Sequence, residues 1–166
     1  MKRLPYILIF ALWLVLDQIV KFAVSASMVV GESFTLIPRV IAITYVRNTG
    51  ASFSLFEDAP VFMAVFNVLG SVMCIGVLAY IIMAKRKGEK WYLFAALAII
   101  AAGGAGNTFD RLRQGYVVDM FEPLFVRFAV FNVADVGLTL GAAMMVLFII
   151  PDMRNKQKPD KDESQS

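Results

Sequence analysis

The sequence predicts a membrane-embedded, all-α protein with a small β element: a four-transmembrane-helix bundle with an extracytoplasmic β-cradle and both termini cytoplasmic. Three observations carry this expectation. The 166 residues are 59% hydrophobic and 17% charged, with a mean hydropathy of +0.70. Soluble domains are about 45–50% apolar and about 25% charged, and a chain this short cannot hide so much apolar surface in a water-facing globule. Four apolar stretches approach the roughly 20 residues that a helix needs to cross a bilayer core. Finally, the basic residues cluster between and beyond those stretches, as they do in short cytoplasmic loops.

The first span is predicted over about residues 4–24; it is apolar through Leu16 and then carries Asp17, Gln18 and Lys21. The second, about 61–84, has no charge, with Asn67 and Ser71 as its notable polar residues. The third runs over about 91–109 and becomes rich in small residues at Gly103-Gly104-Ala105-Gly106. The fourth, about 128–150, contains Asn132 and Asp135. Helix is the default because lipid offers the backbone no hydrogen-bond partners. Lys2, Arg3, Lys85, Arg86, Lys87, Lys90, Arg154, Lys156, Lys158 and Lys161 make up ten of the 16 Lys and Arg, and four spans place all of them on one side. The net charge of +3 fits that topology and gives no reason to invoke nucleic acid.

The outer side then holds two loops. Residues 25–60 contain Phe34-Thr35-Leu36-Ile37 and Val40 to Val46, rich in β-branched and aromatic types, and Ala51 to Leu55, which alternates as a half-buried strand does. A small sheet on the outer membrane surface is expected there. The second outer loop, Thr108 to about Arg127, is short and highly charged. One domain is predicted over 1–153, followed by a disordered cytoplasmic tail over 154–166. Lys2, Arg3, an apolar run and Val24-Ser25-Ala26 also resemble a cleavable signal peptide, but Asp17 and Lys21 interrupt the approach to that site.

The chain has no histidine and a single cysteine, Cys74. Ser-His-Asp and Cys-His catalysis, His-ligated metals, Cys clusters and intrachain disulfides are thereby excluded. Any chemistry falls to carboxylates, lysine or hydroxyls.

An ionised side chain at a helix centre costs about 2.5–3.5 kcal/mol on insertion scales. Those in or beside the spans are Asp17, Lys21, Asp110, Arg111, Asp119 and Asp135, and the assigned topology puts all of them at the outer end. Asp17 and Lys21 stand at i and i+4, acid first, the favourable order for a pair; they either make the helix end tolerable or brace a site. Asn132 and Asp135 stand at i and i+3, either as a helix cap or as part of a site. Gly103, Gly104 and Gly106 suggest close helix packing. Asn107, Asp110 and Arg111 share a face if the third helix continues, and Asn48-Thr49-Gly50 taken alone is a turn. Two neighbouring aspartates cannot both ionise readily, so one acts as acid while the other takes a proton from water. Asp119 and Asp135, from separate segments and each among apolar neighbours, are the candidates.

Five stretches occur in the order found in bacterial lipoprotein signal peptidases, and the chain resembles that aspartic peptidase family. They are Asp17-Gln18-Ile19-Val20-Lys21, Asn48 to Ser54, Gly106-Asn107-Thr108-Phe109-Asp110-Arg111, Val117-Val118-Asp119 and Phe131-Asn132-Val133-Ala134-Asp135. The resemblance implies a multi-pass enzyme of the bacterial inner membrane, with its active site near the extracytoplasmic face. It would cut prolipoproteins before the diacylglyceryl-modified cysteine. The resemblance makes Asp119 and Asp135 the catalytic pair. It implies that Asp17, Lys21, Asn48, Gly50, Gly103, Asn107, Asp110, Arg111, Asn132 and Ala134 line or support the site. Ser52, Met120 and Ala102-Gly103-Gly104 depart slightly from the family pattern, none at a proposed catalytic carboxylate.

The expected reaction is peptide hydrolysis by water held between the two aspartates, with Asn107 and Asn132 orienting the substrate peptide and Phe53 and Leu55 helping to cradle it. No metal or organic cofactor is required. The expected partners are the diacylglyceryl-modified prolipoprotein and membrane lipids, with no nucleic acid and the chain a monomer. A proton or ion carrier would instead spread polar groups through the membrane depth. A noncatalytic assembly or lipid-binding protein would tolerate loss of both aspartates.

Overall fold

A computed structural model of the chain describes residues 3–50, 60–83 and 91–156. Its elements are α1 (Leu4–Ser27), β1 (Ser33–Ile37), β2 (Ile41–Asn48), α2 (Pro60–Met83), α3 (Trp91–Gln114), β3 (Val117–Pro123) and α4 (Val133–Lys156). The fold is mostly helical with one small antiparallel sheet in the order β1-β2-β3. The expected strand at Ala51–Leu55, the cradle residues Phe53 and Leu55 and the basic loop at 85–90 lie outside the described residues; of the tail expected over 154–166, residues 154–156 continue α4 and the rest lies outside them.

Among the described residues, α1 and α3 are long and apolar enough to cross a bilayer; the apolar stretches Val72–Met83 and Val133–Phe148 are shorter. The surface of α1 inverts the soluble pattern. Leu12, Ile19 and Phe22 are exposed, whereas Asp17 and Lys21 are buried. Lipid accepts apolar side chains as well as a core does, so the costly charges turn inward.

α3 packs against each of the other three helices. Its alanines and glycines allow this approach, as small residues do between membrane helices. A Cβ on Gly106 would lie 2.5 Å from Asp17 Oδ2 of α1, and one on Gly104 would lie 2.8 Å from Cys74 Sγ of α2. Gly103 lies directly against the Ala134 carbonyl and Leu138 of α4. Tyr6, Ile81, Phe94, Ala95 and Ala98 form the apolar core where α1, α2 and α3 meet.

The hairpin of β1 and β2 turns at residues 38–40, where Arg39 takes φ 62°. A second core of Val24, Tyr45, Val118 and Met120 seats the sheet on the end of α1. The third strand departs from the sequence expectation, which placed the sheet within 25–60 and left 108–127 as a charged loop. α3 instead continues through Asp110 and Arg111 to Gln114, because charged residues do not break a helix. It ends at Gly115, whose φ of 81° suits glycine and whose N–H bonds the Arg111 carbonyl at 3.0 Å. The chain then returns as β3 along β2.

The fourth helix also begins later than its apolar pattern suggested, at Val133 rather than about residue 128. Phe131 pairs its backbone with Phe121 of β3. Asn132 then caps the helix: its Oδ1 accepts the Asp135 N–H at 3.0 Å, and its own N–H donates to Asp135 Oδ2 at 3.1 Å. This reciprocal pairing is a capping box. Composition could not locate it, because Phe128, Val130 and Phe131 are as apolar as the helix itself.

The close approach of α1 to α3 at Gly106 is directly testable. Gly106→Ala places a methyl against the Asp17 carboxylate and should destabilise by about 1–3 kcal/mol, seen as a lower apparent Tm in detergent. Gly76→Ala, where a Cβ meets nothing within 4 Å, should leave the Tm unchanged or raise it slightly.

Candidate active site

The polar residues flagged in the sequence converge at the end of the bundle beneath the sheet. Lys21 sits at the centre of one half. Its Nζ lies 2.9 Å from Asp17 Oδ2, 2.9 Å from Asp110 Oδ2 and 2.9 Å from Asn107 Oδ1. An ammonium has three protons to give, and here it has three oxygen acceptors. Asp17 spends its other oxygen on the Ala134 N–H of the first turn of α4, at 2.8 Å. A carboxylate there also complements the positive end of the helix. Asp110 accepts the Val118 N–H of β3 at 3.3 Å. Gln18 Nε2 donates to Asp17 and to Asp110, at 3.1 Å each. Asp17 and Lys21, paired by spacing alone in the sequence, are thus the joint between α1, α3, β3 and α4.

The second half holds the two aspartates. β3 alternates so that Val118 and Met120 enter the core on α1, while Val117 and Asp119 face a cavity. Asn48 pairs with Val117 and Asp119 with Val46 across β2 and β3, so Asn48 and Asp119 are diagonal neighbours on one face. Asp119 Oδ2 accepts from Asn48 Nδ2 at 3.0 Å, and its Oδ1 accepts from Asn132 Nδ2 at 2.6 Å. Asp135 Oδ1 accepts from Asn107 Nδ2 at 2.8 Å, while its Oδ2 is held by the cap. Asn132 Nδ2 also donates to Asn107 Oδ1 at 3.1 Å, joining the two halves.

Asp119 is buried, and Asp135 is partly open. Burial pushes the Asp119 carboxyl up to about 6, and the nearby Asp135 charge adds to the rise; hydrogen bonds from Asn48 and Asn132 oppose it. A carboxyl in this range can hold a proton near neutrality and release it. Both aspartates line one cavity of about 1040 Å³, with Asn48, Asn107 and Arg111 at its polar end. Its long apolar wall comes from Met73, Cys74 and Val77 of α2, Ile100 of α3, and Leu138 and Ala143 of α4. An apolar trough that ends in two carboxylates fits a substrate with an apolar segment next to a bond to be cut.

The remaining flagged residues are placed as follows. Gly50 donates its N–H to Asn48 Oδ1 at 3.1 Å, and its carbonyl accepts from Arg111 Nη2 at 3.1 Å. Arg111 lines the cavity, and its buried Nε has no hydrogen-bond partner among the described residues. Gly103 and Ala134 are buried packing positions between α3 and α4. Asn107 and Asn132, expected to orient the substrate peptide, line the cavity, with their amide atoms bonded to Lys21, to the aspartates and to each other. The sequence reading did not single out Gln18 as a site residue; its signal was a second polar residue beside Asp17 in an apolar helix. The apolar wall on α2 and α4 carried no such signal.

Comparison with known proteins places this arrangement. The family model for signal peptidase (SPase) II matches residues 9–151. The lipoprotein signal peptidase of Lactococcus lactis subsp. cremoris (strain SK11) is 37% identical over 156 residues, covering 94% of this chain and all of that one. That of Streptococcus pyogenes serotype M5 (strain Manfredo) is 40% identical over 147 residues, covering 89% and 93%. A solved structure described as a bacterial membrane enzyme superposes with a TM-score of 0.82 at 28% identity, covering 94% of this chain and 93% of its own. A second of the same description gives a TM-score of 0.77 at 28% identity, over 89% of this chain and 94% of its own. With a family model covering most of its length and relatives matched nearly end to end, the chain belongs to the signal peptidase II family.

Proposed function

We propose that Asp119 and Asp135 are the catalytic pair of this peptidase, sharing one proton and activating a water between them. Family membership supplies the reaction class, removal of signal peptides from prolipoproteins. The single observation that carries the catalytic reading is that two aspartates from separate segments border one cavity, each held by asparagine amides, in a chain without histidine.

The signal segment of a diacylglyceryl-modified prolipoprotein lies along the apolar wall formed by α2, α3 and α4. Its acyl chains remain in lipid, and the bond before the modified cysteine reaches the aspartates. One aspartate removes a proton from the water as it attacks, and the other protonates the carbonyl oxygen, giving a gem-diol. Its collapse transfers a proton to the departing amine. Arg111 lines the cavity beside the two aspartates, and its guanidinium is suited to hold a substrate carbonyl. The four helices cross the bacterial inner membrane with both termini cytoplasmic and the site near the outer face, and the chain acts as a monomer. The inverted surface of α1 and the gathering of the charges at one end of the bundle support this topology.

The deciding experiment incubates purified protein with diacylglyceryl-modified and unmodified prolipoprotein; cleavage of the modified substrate alone is expected, and equal cleavage of both would remove the lipid from the recognition. Asp119→Asn and Asp135→Asn should each lose about 10²–10⁴-fold in kcat while still inserting and folding. Near wild-type turnover by either would show the pair to be misassigned. The pH profile should descend as the pair loses its proton, on a limb set by Asp119 at about 6. The Asn48 hydrogen bond favours the charged carboxylate, so Asn48→Ala should move that limb to higher pH.

A further inference from the structure

We propose that Lys21 is a positioning residue for the reaction: its ammonium holds the Asn107 side-chain amide with the carbonyl toward α1 and the NH2 on Asp135. The inference rests on the catalytic reading above and concerns how one member of the pair is held. An asparagine amide can fit the same space in two orientations, with oxygen and nitrogen exchanged. What chooses between them is the partner at the other end. At Asn107 the choice is forced, because Lys21 Nζ, 2.9 Å from the amide, has only protons to offer and accepts an oxygen alone. The amide nitrogen therefore faces Asp135 Oδ1 at 2.8 Å, and the amide oxygen also receives Asn132 Nδ2 at 3.1 Å.

The same rule operates at the other two asparagines that touch the pair, through backbone donors. The Gly50 N–H fixes Asn48 Oδ1, and the Asp135 N–H fixes Asn132 Oδ1; in each case the NH2 is left for Asp119. Lys21 is the case in which a side chain does this work. A flipped Asn107 would aim its carbonyl at the Asp135 carboxylate, oxygen against oxygen, and would turn its NH2 toward the Asn132 NH2. The contact that holds Asp135 Oδ1 and the one that joins Asn107 to Asn132 would be lost together, leaving Asp135 only its cap.

The charged groups around this amide come from every described element packed on it. They are Lys21 and Asp17 of α1, Asp110 and Arg111 of α3, Asp119 of β3 and Asp135 of α4. Lys21 is the cation that contacts Asn107 directly. It touches Asn107 rather than either aspartate of the pair; its charge also favours the ionised Asp119 through space, and the double-mutant cycle separates that effect from the one carried by the amide.

The test is a double-mutant cycle on purified, folded enzyme with diacylglyceryl-modified prolipoprotein. Lys21→Met removes the donor, Lys21→Gln replaces it with a group that both gives and accepts, and Asn107→Ala removes the amide. Each folded Lys21 variant should lose about tenfold or more in kcat with KM within about threefold, since transition-state geometry is lost rather than substrate binding. In the Asn107→Ala background, Lys21→Met should lower kcat further by less than about twofold. Unchanged kcat in a folded Lys21 variant, a loss confined to KM, or losses that multiply in the double variant would overturn the inference. If no Lys21 variant folds, Asn107→Leu decides, because its side chain is close to asparagine in shape but gives Asp135 no proton. Loss of kcat with KM kept in folded Asn107→Leu supports the inference, and retention overturns it. Asp119→Asn and Asp135→Asn run alongside: turnover by either defeats the catalytic pair itself, whereas inactivity of both with an active Lys21→Met defeats only the role of Lys21.

Discussion

Three oxygens around one buried ammonium hold this molecule together. Lys21 binds Asp17 on its own helix and Asp110 and Asn107 on α3, and the two carboxylates reach onward to the backbone of α4 and of β3. Between lipid-facing helices there is no hydrophobic drive to associate, because lipid is as apolar as leucine. Close packing and satisfied polar contacts decide the arrangement instead. Breaking a buried ion pair by removing one partner costs about 3–5 kcal/mol, since an uncompensated charge stays behind. The Lys21 cluster therefore sets the relation of α1 to α3, and through α3 the relation of everything else.

Glycine makes that cluster reachable. Gly106 leaves room for the Asp17 carboxylate beside α3, and Gly103 lets the start of α4 lie against the same helix. The first turn of α4 is thereby brought within reach of Asp17, and its cap presents Asp135 to the cavity. Packing and polarity act in series: small residues permit the approach, and the hydrogen bonds select one register of it.

The aspartates inherit their positions from this frame. Each is held by asparagine amides whose orientation is imposed from behind, by Lys21 or by a backbone N–H. Donors arranged before substrate arrives need no rearrangement during the reaction, which is where fixed dipoles gain their advantage over water. Burial raises Asp119 while two amides hold it down, and the balance leaves a carboxyl that titrates at about 6. A site without histidine thus obtains a group that exchanges protons near neutrality from burial and a neighbouring carboxylate.

Much of this was legible in the residues themselves. Hydropathy marked the helices, the missing histidine directed attention to carboxylates, and the i,i+4 spacing of Asp17 and Lys21 marked a pair. These features are local: they depend on the solvent a segment needs, on the residue types available and on positions within one turn of helix. Other features were decided only in three dimensions. β3 was hidden because Val117–Pro123 becomes a strand by pairing with β2, about 70 residues earlier in the chain. The true start of α4 was hidden because a cap, not a change in hydropathy, ends the preceding extended segment. The reach of Lys21 to Asp110 and Asn107, and the bonds from Asn107 and Asn132 to the aspartates, depend on which helix faces meet across α3. The sequence alone determined which groups need burial and which chemistry is available; only tertiary packing decided which donor each acceptor receives, because a hydrogen bond needs its two atoms within about 3 Å.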